Sequence, residues 1–150
     1  NTSVNTYHEL TYAVFTAKLL TWLLTQCGYL NQTEVSDMDQ FELDLINELL
    51  AHRRRILTIP YADFDSYLTT YGSICNAVGA PERTHSVGRP LGNIAKFCQE
   101  RDWPPLNALV VNSETRMPGH SYDSAPGCDL LEWPDEVKSV INFEDYGLQV

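Results

Sequence analysis

Nucleophilic catalysis needs a nucleophile, a base and a group that orients the base. This chain offers four histidines (His8, His52, His85 and His120) and four cysteines (Cys27, Cys75, Cys98 and Cys128) as members of such a set. Their spacing assembles no known signature: there is no Gly-x-Ser-x-Gly elbow, no His-x-x-x-His pair and no cysteine-protease nucleophile motif. The cysteines stand 48, 23 and 30 residues apart, without a Cys-x-x-Cys pair or a histidine at zinc-site spacing, so neither disulfides nor zinc are expected. Cys75 and Cys98 fall in apolar-periodic stretches and read as buried, reduced thiols. The paired acids Asp63 and Asp65, and Asp135 and Glu136, read as helix-start and surface charges. Gly88-Arg89-Pro90-Leu91-Gly92 opens a helix, where backbone N–H groups can receive a phosphate, but it lacks a Walker lysine, and a turn with close packing accounts for it equally well. His120-Ser121-Tyr122, after the Pro118-Gly119 turn, could display an imidazole and an aromatic ring on a wing tip or serve as a structural cap. These residues imply no catalysis, no metal and no cofactor.

Charge is more informative. The net charge of −10 at pH 7 argues against phosphate binding, which draws on Lys and Arg. Its distribution is uneven: residues 1–52 sum to −6, residues 53–116 to +2 and residues 117–150 to −6. Two acidic ends bracketing a nearly neutral middle suit a protein that meets a basic partner through its flanks.

The elements that must position these groups are mostly helical. Apolar residues recur at helical spacing from Thr6 to Gln26, with Cys27-Gly28 as a stop. From Asp37 to Arg55 a second helix places Phe41, Leu45 and Leu49 on one face, with acids first and Arg53-Arg54-Arg55 last, the order that the helix dipole favours. That arginine run reads as a solvated cap or as an anion contact. Ile56 to Tyr61 reads as a short extended connection. Phe64 to Leu68 and Tyr71 to Val78 form a short helical pair broken by Thr69-Thr70 and closed by Gly79. Ala80 to Ser86 is a loop or a short helix start. A helix opening near Pro90 buries Leu91, Ile94, Ala95 and Cys98 and is ended by Trp103-Pro104-Pro105. Leu106 to Asn112 has the length and apolarity of a strand, and Asp135 to Phe143 is expected to be helical, with a strand over Ser139 to Phe143 as the alternative. The longest apolar stretch, Tyr12 to Leu24, is interrupted by Lys18, lacks the features of a secretory signal and is too short to cross a membrane; a cytoplasmic protein is expected.

Tyr71-Gly72, Gly79-Ala80-Pro81, Val87-Gly88 and Leu91 are spaced in a way that resembles the DNA-binding winged helix of the alkylguanine alkyltransferases and their alkyltransferase-like relatives. The resemblance covers about 25 residues and stops where the chemistry begins. Before its Val-Val strand that family carries Pro-Cys-His-Arg or Pro-Trp-His-Arg, whereas this chain has Pro105-Leu106-Asn107-Ala108-Leu109-Val110-Val111. Alkyl transfer is therefore not implied, and His85 stands where those proteins insert an arginine into DNA. Residues 71–146, with Pro104-Pro105-Leu106, Ala108 to Asn112 and Pro118-Gly119, also look like a widespread uncharacterised bacterial domain that carries no assigned activity.

The expected fold is one α+β domain, helix-dominant: a helical extension over residues 1–55, followed by a winged-helix-like core over 56–150 with a small antiparallel sheet. The expected function is that of a non-catalytic acidic protein-binding module, of the immunity or antitoxin type, which neutralises a basic toxin such as a nuclease. Its contact residues are expected to be Asp37, Asp39, Glu42, Asp44, Glu48, Asp129, Glu132, Asp135 and Glu136. The alternative is a winged-helix DNA-binding protein in which Tyr71, His85, Arg89 and Lys96 face the duplex and Arg53 to Arg55 hold phosphates.

Overall fold

The computed structural model describes residues 38–144 and 146. The helix expected over Thr6 to Gln26, together with Cys27 and Asp37, lies outside them. Contacts divide the chain into two units, one of which spans Met38–Tyr146. The second of the two expected helices, over Asp37 to Arg55, is observed within this unit.

Four helices dominate the described residues: α1 (Gln40–Leu57), α2 (Tyr71–Ala77), α3 (Gly88–Glu100) and α4 (Trp133–Asn142). Helix α1 starts at Asp39, whose Oδ1 accepts from the Glu42 backbone N–H at 2.8 Å, the cap geometry that Asp-x-x-Glu encodes. It buries Leu45, Ile46, Leu49, Leu50 and Ile56 against α3 and the segment 106–109. The β-branched run expected to be extended from Ile56 instead completes α1 and then turns, because Thr58 caps the helix through the Arg55 carbonyl. Tyr61 follows in a left-handed conformation, φ 59°, fully exposed to solvent.

Helices α2 and α3 both close in Schellman fashion. Gly79 (φ 76°) lets the Ala80 N–H reach the Cys75 carbonyl at 2.8 Å, and Asp102 (φ 54°) lets the Trp103 N–H reach that of Cys98 at 2.9 Å. Helix α3 is thus ended by a left-handed Asp102 ahead of the prolines. Its inner stripe, Leu91, Ile94, Ala95 and Cys98, is buried as its periodicity requires.

The expected strand over Leu106 to Asn112 is largely a 3-10 turn. Leu106–Leu109 coil tightly in the centre of the core, and only Val110–Val111 are extended. That strand, β2, pairs with β1 (Thr69–Thr70) in parallel register, Thr69 opposite Val110 and Thr70 opposite Val111. This corrects the antiparallel sheet. The two strands are separated by α2 and α3, and a crossover of that length delivers parallel strands, whereas a wing needs a hairpin. A winged-helix unit is accordingly not supported. The C-terminal segment is helix α4, with Pro134 in its first turn and Val137, Val140 and Ile141 buried; the strand alternative over Ser139 to Phe143 is not adopted. None of the described helices is long and apolar enough to cross a membrane.

Candidate functional site

The segment between the Pro118-Gly119 turn and α4 carries a cluster of polar side chains that bond to one another and to the core. Tyr122 is 4% exposed, so it cannot sit on a wing tip; its hydroxyl donates a hydrogen bond to Glu136 Oε2. Burial, and then the carboxylate beside it, push the Tyr122 phenol up, and burial also raises Glu136 above the ordinary carboxylate range. Glu136 Oε1 accepts from the Asp129 backbone N–H at 3.1 Å. Asn107, a lone amide in the apolar run 106–111, donates to Cys128 Sγ at 3.6 Å. The Cys128 thiol is pushed up to about 11 and that of Cys98 to about 12, chiefly by burial. Both are protonated at neutral pH and poor nucleophiles. A cavity of about 10 Å³ between Tyr71, Gly88, Leu91, Asn107, Ser121 and Tyr122 has room for about one water molecule.

What this cluster does is hold a turn. Leu130–Glu132 form a 3-10 turn fixed by three carboxylates: Asp123 accepts from the Leu130 N–H at 3.0 Å, Asp129 from the Leu131 N–H at 2.9 Å, and Glu136 from Asp129 as above. Beneath it Trp133 is buried, donating to the Ala108 carbonyl at 2.8 Å and meeting Phe64 edge-on at 5.5 Å. Leu131 is nonetheless 89% exposed and Leu130 39%, with Asp129, Glu132 and Asp135 exposed around them.

The remaining acidic candidates divide by role. Asp39 is an exposed helix cap, and Asp44 accepts from Gln40 Nε2 at 2.9 Å. Glu48 pairs with Arg55 at 2.6 Å. Glu42 is only 5% exposed: Asn93 Nδ2 donates to its Oε1 at 3.3 Å, while its Oε2 has no hydrogen-bond partner among the described residues. Glu42 is thus an interior group and not a surface contact, whereas Glu136 is half-buried and holds the turn.

The nucleic-acid candidates divide as well. The Tyr71 hydroxyl accepts from the Gly119 N–H at 2.7 Å, which turns it toward the protein. His85, Arg89 and Lys96 are exposed, the first on the 3-10 segment Pro81–Ser86 and the other two on α3. Arg53 is corrected from phosphate holder to internal clamp. Buried under α4, it donates from Nε to the Val140 carbonyl at 2.8 Å and from Nη2 to those of Ile141 (3.4 Å) and Phe143. It also lies 5.3 Å from the Tyr146 ring centroid. Gly88 is explained by packing, since a Cβ there would stand 3.1 Å from Ser121 Oγ. Among the described residues, no three His, Cys, Asp or Glu side chains converge to hold a metal ion.

Sequence reasoning identified the acids by type and missed the Tyr122–Glu136 pair, Asn107 and the two leucines. A polar amide inside an apolar run, and Leu-Leu flanked by acids ahead of Trp-Pro, were the available signals. Comparison with protein-family models, with curated proteins and with solved structures finds no match for this chain.

Proposed function

We propose that this chain is a non-catalytic, acidic protein-binding module, of the kind that neutralises a basic toxin such as a nuclease. The observation that carries the reading is the charge of one segment. From Asp123 to Glu144 six carboxylates stand against a single cation, Lys138, and Asp129, Glu132 and Asp135 are exposed. Such a field steers a basic partner toward the surface and repels polyanions. The test is capture from a lysate of the native host, compared with titration into labelled duplex DNA at low salt. A stoichiometric basic partner, lost when Asp129, Glu132 and Asp135 are neutralised together to Asn, Gln and Asn, is the expected result. A DNA shift without a basic partner would overturn it.

The DNA-binding alternative is favoured by one observation. Arg89 and Lys96 lie seven residues apart on α3, both exposed, a spacing that puts them on one helix face. It loses Tyr71 and Arg53 to internal hydrogen bonds.

A further inference from the structure

We infer that Leu131, supported by Leu130, is the apolar anchor of a docking surface for a basic partner that presents an apolar face edged with lysine or arginine. The inference rests on the acidic-partner reading above and adds to it where the contact is centred and what holds it. Exposed leucines are common singly and need no explanation. This pair differs in how it is held. Three carboxylates accept the backbone N–H groups of Asp129, Leu130 and Leu131, and the carboxylate behind Asp129 is itself fixed by the buried Tyr122 hydroxyl. Trp133, buried and tied to Ala108, fixes the next residue from below. The turn is therefore rigid before any partner arrives, and a partner that buries Leu131 loses little further chain entropy there.

Charge selects the occupant. Asp129, Glu132 and Asp135 lie within four residues of Leu131 along the chain and are all exposed, so a second copy of this chain, itself at −10, would bring like charges together. An anionic lipid surface is repelled for the same reason. A basic protein gains on both counts: its cations meet the acidic rim while its apolar face removes Leu131 from water, the arrangement of an apolar centre within a polar margin that protein interfaces use.

The experiment uses the full chain and two labelled peptides of 14 residues, an amphipathic helical peptide of leucine and lysine and an oligolysine. Fluorescence anisotropy at low salt reads their affinities for the wild type, for Leu131→Ser and for the pair Glu132→Gln with Asp135→Asn. Because Leu131 is almost wholly exposed, its replacement leaves the melting temperature unchanged. The leucine–lysine peptide is expected to bind about tenfold more tightly than oligolysine, and Leu131→Ser to remove that advantage while leaving oligolysine binding as it was. If Leu131→Ser changes neither affinity while the charge-neutralised pair weakens both, the anchor is refuted and the acidic-partner reading survives. If the wild type binds neither peptide, both fail. Concentration-dependent dimers, or co-sedimentation with phosphatidylcholine vesicles, either one abolished by Leu131→Ser, would assign the leucine to another occupant and overturn the proposal.

Discussion

Glu42 stands in the first turn of α1, behind its cap Asp39, and carries a carboxylate oxygen without a partner among the described residues. Burial is the largest influence on it and raises it above its ordinary value of 4.5, against the lowering effect of Asn93. A raised folded-state value means that the folded protein keeps a proton that the unfolded chain has lost. Stability contributed at this site is therefore highest below pH 4.5 and falls as the pH climbs through the folded value. Glu42→Gln is expected to match the wild type at low pH and to exceed it by about 1 kcal/mol at pH 7, where the buried charge is at its full cost. Urea melts across pH 3 to 8 would show the two curves diverging as pH rises; parallel curves would refute the assignment. At the other end of the core, Tyr122→Phe strips Glu136 of its phenolic donor, and a loss of about 1 to 2 kcal/mol is expected from urea unfolding. Arg53→Met, which leaves three carbonyls at the end of α4 without their donor, is expected to cost about 3 kcal/mol, with Arg53→Lys recovering part of it.

At the scale of elements, the helices were legible because a 3.6-residue period survives in the sequence even when nothing is known of its surroundings. Leu91, Ile94, Ala95 and Cys98 mark the buried side of α3 on their own. The run from Leu106 to Val111 has no period, since every residue in it is buried, and an aperiodic apolar run does not distinguish a strand from a tight coil. Strand direction was equally hidden. It depends on what lies between Thr70 and Val110, and a resemblance to a hairpin fold suggested the wrong sense. Caps, by contrast, are local and can be tested locally. Thr70 Oγ1 accepts from the Ser73 N–H at 3.1 Å to begin the seven-residue α2, and Thr70→Ala is expected to lower stability by about 1 kcal/mol in thermal melts. Substitution of Asp102, which holds the left-handed position after α3, is expected to favour glycine: Asp102→Gly should be neutral or stabilising, and Asp102→Val destabilising.

For the molecule as a whole, the excess of acids was readable from composition, but which of them face outward was not. Glu42 and Glu136 look like any other surface acid in the sequence, and only the groups packed around them show that they are spent on the fold. The long-range consequence of the net charge belongs at this scale. Association with a basic peptide is expected to slow by about tenfold between roughly 0.02 M and 0.5 M salt while dissociation hardly moves, as stopped-flow mixing would show. The arginine run misled for a related reason. Arg55 pairs within its own helix, whereas the acceptors of Arg53 lie 87 to 90 residues further along the chain, beyond any local pattern. That separation governs how the protein can be made. A chain growing from its N-terminus completes α1 long before the carbonyls that receive Arg53 exist, so until Phe143 has emerged the guanidinium stays hydrated and α1 lacks the bonds that tie it to α4. Nascent chains stopped before residue 140 should be digested throughout by protease, and resistance over residues 38–143 should arrive in one step once the last acceptor has emerged, rather than helix by helix.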